Sequence, residues 1–95
     1  MKQIKEITCL CCGNKKDVFL NFESEDEQMF SIDTSSGSIV SMDCEREPAP
    51  YIDPTKGNFL FADCITGCED ECSAKIEFQD GTILEDEEAF KYLIS

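Results

Sequence analysis

Lys75-Ile76-Glu77-Phe78-Gln79-Asp80-Gly81-Thr82-Ile83-Leu84 decides the fold class. Ile76 and Phe78 alternate with Lys75, Glu77 and Gln79, the period of two that marks a half-buried strand. Asp80-Gly81 then supplies two residues that tolerate positive φ, as a tight hairpin turn requires. Thr82–Leu84 is the returning strand. Beyond it the period changes. Ala89, Phe90, Leu93 and Ile94 make an apolar stripe at helical spacing. Asp86 is placed to cap that helix, and Glu87 and Glu88 fall in its positive first turn. So short a helix must dock on the sheet to persist.

The same alternation recurs upstream. Val18, Leu20 and Phe22 alternate with Phe19, Asn21 and Glu23 in a second half-buried strand. Gly13-Asn14-Lys15-Lys16 separates it from a first strand that carries cysteines. Thr34-Ser35-Ser36-Gly37 separates Met29–Ile32 from Ile39–Met42. Residues 46–57 hold all three prolines and read as a loop, because proline donates no ladder hydrogen bond. Phe59, Leu60 and Phe61 then open a strand running into Cys64. The expectation is an α+β fold: a small antiparallel β-rich domain of about three hairpins with one short C-terminal helix. At 95 residues the chain, 1–95, is expected to form a single domain.

Charge narrows the function. There are 21 acidic and 8 basic residues and no histidine, for a net charge of −13. Histidine-based triads and histidine metal sites are therefore excluded. Favourable phosphate-backbone binding needs clustered Lys and Arg, so direct nucleic-acid binding is not expected. No apolar run approaches the length of a membrane span. The charge is uneven. Residues 1–20 carry four lysines against Glu6 and Asp17, a local +2, and the remainder holds −15. Acids cluster at Glu25, Asp26 and Glu27, at Glu69, Asp70 and Glu71, and at Glu87 and Glu88. No phosphate-binding loop, nucleophile elbow or EF-hand loop is present, and Asp63 is the nearest approach to a carboxylate in an apolar setting. Catalysis is not expected.

Seven cysteines carry the remaining chemistry: Cys9, Cys11, Cys12, Cys44, Cys64, Cys68 and Cys72. The N-terminal residues lack the apolar stretch of a secretory signal, so a reducing cytoplasm is the expected location. An odd number of thiols cannot all pair in disulfides. Two clusters on one reducing chain point to metal, with Cys44 as a buried small hydrophobe. Inert thiols packed in a core and thiol redox chemistry are the competing readings. Cys64, Cys68 and Cys72 also carry the spacing of one helix face.

Cys9-x-x-Cys12-Gly13 resembles the knuckle of zinc-ribbon and rubredoxin-like proteins. In such a knuckle a tight turn aims two thiolates at one point, and glycine permits the turn past the second. The resemblance implies a structural zinc, with iron as the lesser variant. The expected ligands are Cys9, Cys12, Cys68 and Cys72, with Cys11 and Cys64 as alternates; Lys15 and Lys16 would offset part of the thiolate charge. The second pair is Cys-x-x-x-Cys and not Cys-x-x-Cys, and it lies farther along the chain than in a ribbon. In size and charge the chain is similar to small acidic phage-encoded inhibitors of the anti-CRISPR type. That likeness implies an interaction or inhibitor protein whose acids meet a basic, nucleic-acid-binding protein partner. A thiol-based redox or metal sensor is the alternative.

Overall fold

The structure is a computed structural model that describes residues 2–15, 18–42, 47–48, 53–64 and 72–95. Among these residues there are eight strands and one α-helix. They are β1 (Ile4–Cys9), β2 (Val18–Glu23), β3 (Met29–Asp33), β4 (Ile39–Ser41), β5 (Glu47–Pro48), β6 (Asn58–Cys64), β7 (Ala74–Phe78), β8 (Ile83–Glu85) and α1 (Asp86–Ile94). The strands form two antiparallel sheets, β1-β7-β8 and β5-β4-β3-β2-β6. The class is the small antiparallel α+β fold expected. No helix of the described residues is long and apolar enough to cross a membrane.

Two hairpins stand where the turn signals put them, β3–β4 and β7–β8. The first expected hairpin does not form. β1 passes over its sequence neighbour and pairs with β7, Ile7 opposite Ile76 and Cys9 opposite Ala74. β2 instead pairs with β3 on one side and β6 on the other, so the third hairpin is β2–β3. Gly13 and Asn14 thus lead from one sheet to the other. The reason lies in the faces. β1 exposes Lys5 and Glu6 and buries only Ile7 and Cys9, matching the half-buried β7. β2 is buried from Val18 to Phe22 on both faces, as a central strand must be, and is not the half-buried strand that its alternation implied.

Two register shifts align the core. Between Ile4 and Glu6 the β1 ladder slips, which returns Ile4 to the side of Ile7 although the two are three residues apart. A second slip in β6 sets Phe59 opposite Phe22 and Ala62 opposite Leu20, leaving Leu60 37% exposed between them. Phe22 is the hub, with ring centroids 5.8 Å from Phe30 and 5.4 Å from Phe90. Phe90 in turn meets Phe59 at 5.8 Å, which docks α1 on β6. Two polar side chains sit beside this core: the Ser31 hydroxyl donates to Asn21 Oδ1 across the β2–β3 pair.

The prolines do not all lie in loop. Glu47–Pro48 pairs with β4 as the edge strand of its sheet, a place where the missing N–H can be tolerated. Pro54–Lys56 forms one 3₁₀ turn. Helix α1 also differs from expectation at its start. Asp86 does not cap it; its φ is +47° and its Oδ1 accepts from the Ala74 N–H at 3.0 Å. That bond ties the helix entry to the first residue of β7, so the carboxylate serves the sheet. Ala89, Phe90 and Leu93 are the buried stripe, with Ile94 at its margin.

Phe90→Ala should cost about 3–5 kcal/mol of unfolding free energy in chemical denaturation, because Phe90 is 1% exposed and joins two ring contacts. A second prediction concerns pH. The Tyr92 hydroxyl donates to Asp80 and the Thr82 N–H donates to the same carboxylate, which together hold the Asp80 carboxyl below its ordinary value. A carboxyl lowered in the folded state contributes stability above its unfolded value and loses it as pH falls through the folded one. Tyr92→Phe should therefore lower Tm at neutral pH, and the gap to the parent should close as pH drops below about 3.9.

Candidate metal centre

Cys9 is the last residue of β1 and is fully buried. The chain then reverses within four residues. The Gly13 N–H donates to the Cys9 carbonyl at 2.7 Å, and the Cys9 N–H donates to the Asn14 carbonyl at 2.7 Å. Such a closure needs one residue in the left-handed region, and Gly13 supplies it at φ +75°. The Leu10 N–H donates to the Ser73 carbonyl at 2.8 Å, which fastens the loop to the residue before β7. Cys12 projects from this knuckle, exposed, while Cys9 points into the core.

Cys64 arrives from the other sheet. It ends β6 opposite Val18, on the inward face shared with Ala62, and is 7% exposed. An isolated bridge pairs Ala62 with Cys72, bringing Cys72 alongside β6 just before β7 begins. The sulfurs consequently gather. The Sγ atoms of Cys9, Cys12 and Cys64 all lie within 4.8 Å of one another. Cys12 Sγ is 3.5 Å from Cys64 Sγ, and Cys64 Sγ is 3.9 Å from Cys72 Sγ. Zinc–thiolate bonds of about 2.3 Å arranged as a tetrahedron require sulfur–sulfur edges of about 3.8 Å. The Cys12–Cys64 and Cys64–Cys72 separations lie near that edge, although Cys72 falls outside the group of three sulfurs mutually within 4.8 Å. A disulfide would need about 2.05 Å. The set could hold a metal ion.

The expected site residues distribute as follows. Cys9 and Cys12 are together in the knuckle. Cys64, an alternate in the sequence reading, supplies the third sulfur, and Cys72 lies beside it. Cys11 is exposed on the knuckle, outside the three-sulfur group. Cys68 and Cys44 lie outside the described residues. Lys15 does not serve the thiolates: its ammonium pairs with Glu6, whose carboxyl is held below its ordinary range by that hydrogen bond. Lys16 lies outside the described residues.

Spacing alone does not separate Cys64 from Cys68, since Cys64-x-x-x-Cys68 and Cys68-x-x-x-Cys72 are equivalent pairs. The signal that marks Cys64 is strand parity: Ala62 and Cys64 fall on the same face, opposite Leu20 and Val18. The acids occupy other surfaces. Glu25, Asp26 and Glu27 are exposed in the β2–β3 turn, where Glu27 takes φ +62°, and Glu87 and Glu88 are exposed on the first turn of α1. Glu69, Asp70 and Glu71 lie outside the described residues. Asp63 stands on β6 opposite Phe19, half-buried.

A Cβ at position 13 would meet nothing within 4 Å, so Gly13→Ala is disfavoured by backbone conformation alone. Its cost should be about 1–2 kcal/mol, read as a lower denaturation midpoint at unchanged m-value under reducing conditions.

No family model matches the chain, and neither a curated protein nor a solved structure matches it.

Proposed function

We propose that the chain is a non-enzymatic interaction protein whose fold is tied together by a structural zinc. The observation that carries this reading is the convergence of Cys9, Cys12 and Cys64, with Sγ atoms mutually within 4.8 Å. Cys72, 3.9 Å from Cys64 but outside the group of three sulfurs mutually within 4.8 Å, would swing in as the fourth ligand when the ion binds. Soft thiolates arranged tetrahedrally suit zinc first and iron second. Four protein ligands close the coordination shell, so the ion's role is structural. Its place supports that role, because it would join the end of β1 to the end of β6 across the two sheets.

The interaction half of the proposal rests on charge. A net −13 exceeds the magnitude of about 2–8 that solubility asks of a small domain. The excess repels itself and is useful when a basic surface approaches. The partner is a basic protein of the nucleic-acid-binding class, met in the reducing cytoplasm. Charge likeness to anti-CRISPR inhibitors supports the same class. The second reading is a thiol redox or metal sensor. Exposed Cys12, 3.5 Å from Cys64, is the contact that favours it.

Native mass spectrometry of the reduced chain, with and without a strong chelator, tests the metal. One zinc per chain is expected, with a large fall in Tm when it is removed, since structural zinc contributes about 10–16 kcal/mol in finger peptides. Cys64→Ser should release the ion, while Cys11→Ser should keep it. A metal-free chain with unchanged Tm would overturn the zinc reading. Reversible oxidation of Cys12 would then favour the sensor. For the acids, reversing Glu25, Asp26 and Glu27 to lysine should weaken capture by a basic partner and flatten its salt dependence.

A further inference from the structure

Three of the lysines near the N-terminus, Lys2, Lys5 and Lys15, are gathered by the fold in one place. They line, with one carboxylate, Glu6, an open groove of about 580 Å³ between β1 and the turn that joins β3 to β4. These lysines are three of eight basic residues in a chain of net charge −13. On that turn Thr34, Ser35 and Ser36 face the same space. The groove floor is apolar, formed by Ile4, Ile7 and Leu93. The size falls in the usual range for a small-molecule site, about 300–1,000 Å³.

Each rim group is held in place but still able to act. The Lys15 ammonium pairs with Glu6, and Lys5 Nζ lies 3.4 Å from Glu77. Both lysine side chains are more than half exposed, at 63% and 61%, and exposed pairs are worth only about 0–1 kcal/mol. A ligand carrying more charge than one carboxylate can therefore draw both ammonium groups to itself. Lys2 is anchored over the Tyr92 ring, 5.1 Å from its centroid, and its backbone N–H donates to the Leu93 carbonyl at 3.0 Å. Thr34 braces the turn through the Val18 carbonyl, which its hydroxyl and its N–H both approach as donors. Ser36 Oγ accepts from the Ser38 N–H at 3.3 Å, so its own proton can be directed outward.

We propose that this groove binds a small organic phosphate. Lys5, Lys15 and the Ser36 hydroxyl hold the phosphoryl oxygens, and the organic part lies along Ile4 and the floor. A doubly charged phosphoryl group answers two or three ammonium ions better than a monoanionic carboxylate does. Lysine suits it as a point charge. A polyanion is refused, because the acids beyond the groove repel an extended phosphate backbone. The inference stands independently of the metal site, since none of the described cysteines lines the groove.

The test is a ¹H–¹⁵N NMR titration of the full chain with phenyl phosphate, inorganic phosphate and benzoate. Phenyl phosphate should shift the amides of Lys5, Ser35, Ser36 and Gly37 saturably and bind about tenfold tighter than benzoate. Inorganic phosphate should shift the same amides more weakly. Lys5→Gln with Lys15→Gln should reduce the phenyl phosphate affinity about tenfold or more, and Lys5→Gln alone should do so in part. Lys91→Gln, on the helix beside Glu87, should leave it unchanged. The dispersion of the same spectra reports whether each variant is folded. Equal affinity for benzoate, shifts spread over every lysine, unchanged binding by the folded double variant, or no saturation below about 10 mM would overturn the proposal.

Discussion

Cys9 lies opposite Ala74 because β1 pairs with β7, about seventy residues downstream, and the placement of the cysteine knuckle and of the lysines on and before β1 follows from that pairing. The ladder holds the knuckle beside Ser73 and Cys72 at one end. At its other end it holds Lys2 beside the last turn of α1. The closure is long, but its entropic cost grows only with the logarithm of chain length, and four facing apolar side chains (Ile7, Ile76, Ile4 and Phe78) lie along it. Without this ladder, Cys9 and Cys12 would have no fixed relation to Cys64.

The two sheets share one core, in which Ile7, Ile76 and Phe78 join Val18, Leu20, Phe22 and Ile32. Ala62 bridges to Cys72, α1 rests on strands of both sheets, and the Phe22–Phe90–Phe59 rings fill the space beneath. A core of this size works against the self-repulsion of a surplus of acids. An ion shared between the knuckle and the end of β6 would act at the seam where the described backbone has only one bridge. That placement is the physical reason to read the sulfur cluster as structural. The register slips serve the same end, since each moves one residue out of the ladder and lets side chains three positions apart face the core together.

Charge is unevenly spread as well as abundant. Acid clusters are exposed at the β2–β3 turn and the first turn of α1, whereas the groove beside β1 is bordered by three lysines and one carboxylate, Glu6. An acidic face for a basic macromolecule and a small cationic groove for a compact anion are compatible on one surface, because screening limits each field to about 8 Å at physiological salt.

Alternation in Lys75–Gln79, the Asp80-Gly81 turn and the helical stripe from Ala89 determined the class, since these signals are local: each depends only on where neighbouring side chains must point. The Cys9–Gly13 knuckle was legible for the same reason, its glycine being required by one dihedral angle. Strand partners were not legible. Gly13–Lys16 carries an acceptable turn signal, and whether β1 folds back on β2 or crosses to β7 is decided by which sheet needs a half-buried edge and which needs a strand covered on both sides. The inward aim of Cys64 was likewise a matter of register, because one residue of slip in β6 would turn its sulfur outward and bring Asp63 in. Asp86 shows the limit at the smallest scale: its type marked a helix start, but only the approach of the Ala74 N–H in three dimensions determined which backbone group its carboxylate would satisfy. Composition and local pattern fixed what the segments are; long-range packing, which no local pattern encodes, decided what they meet.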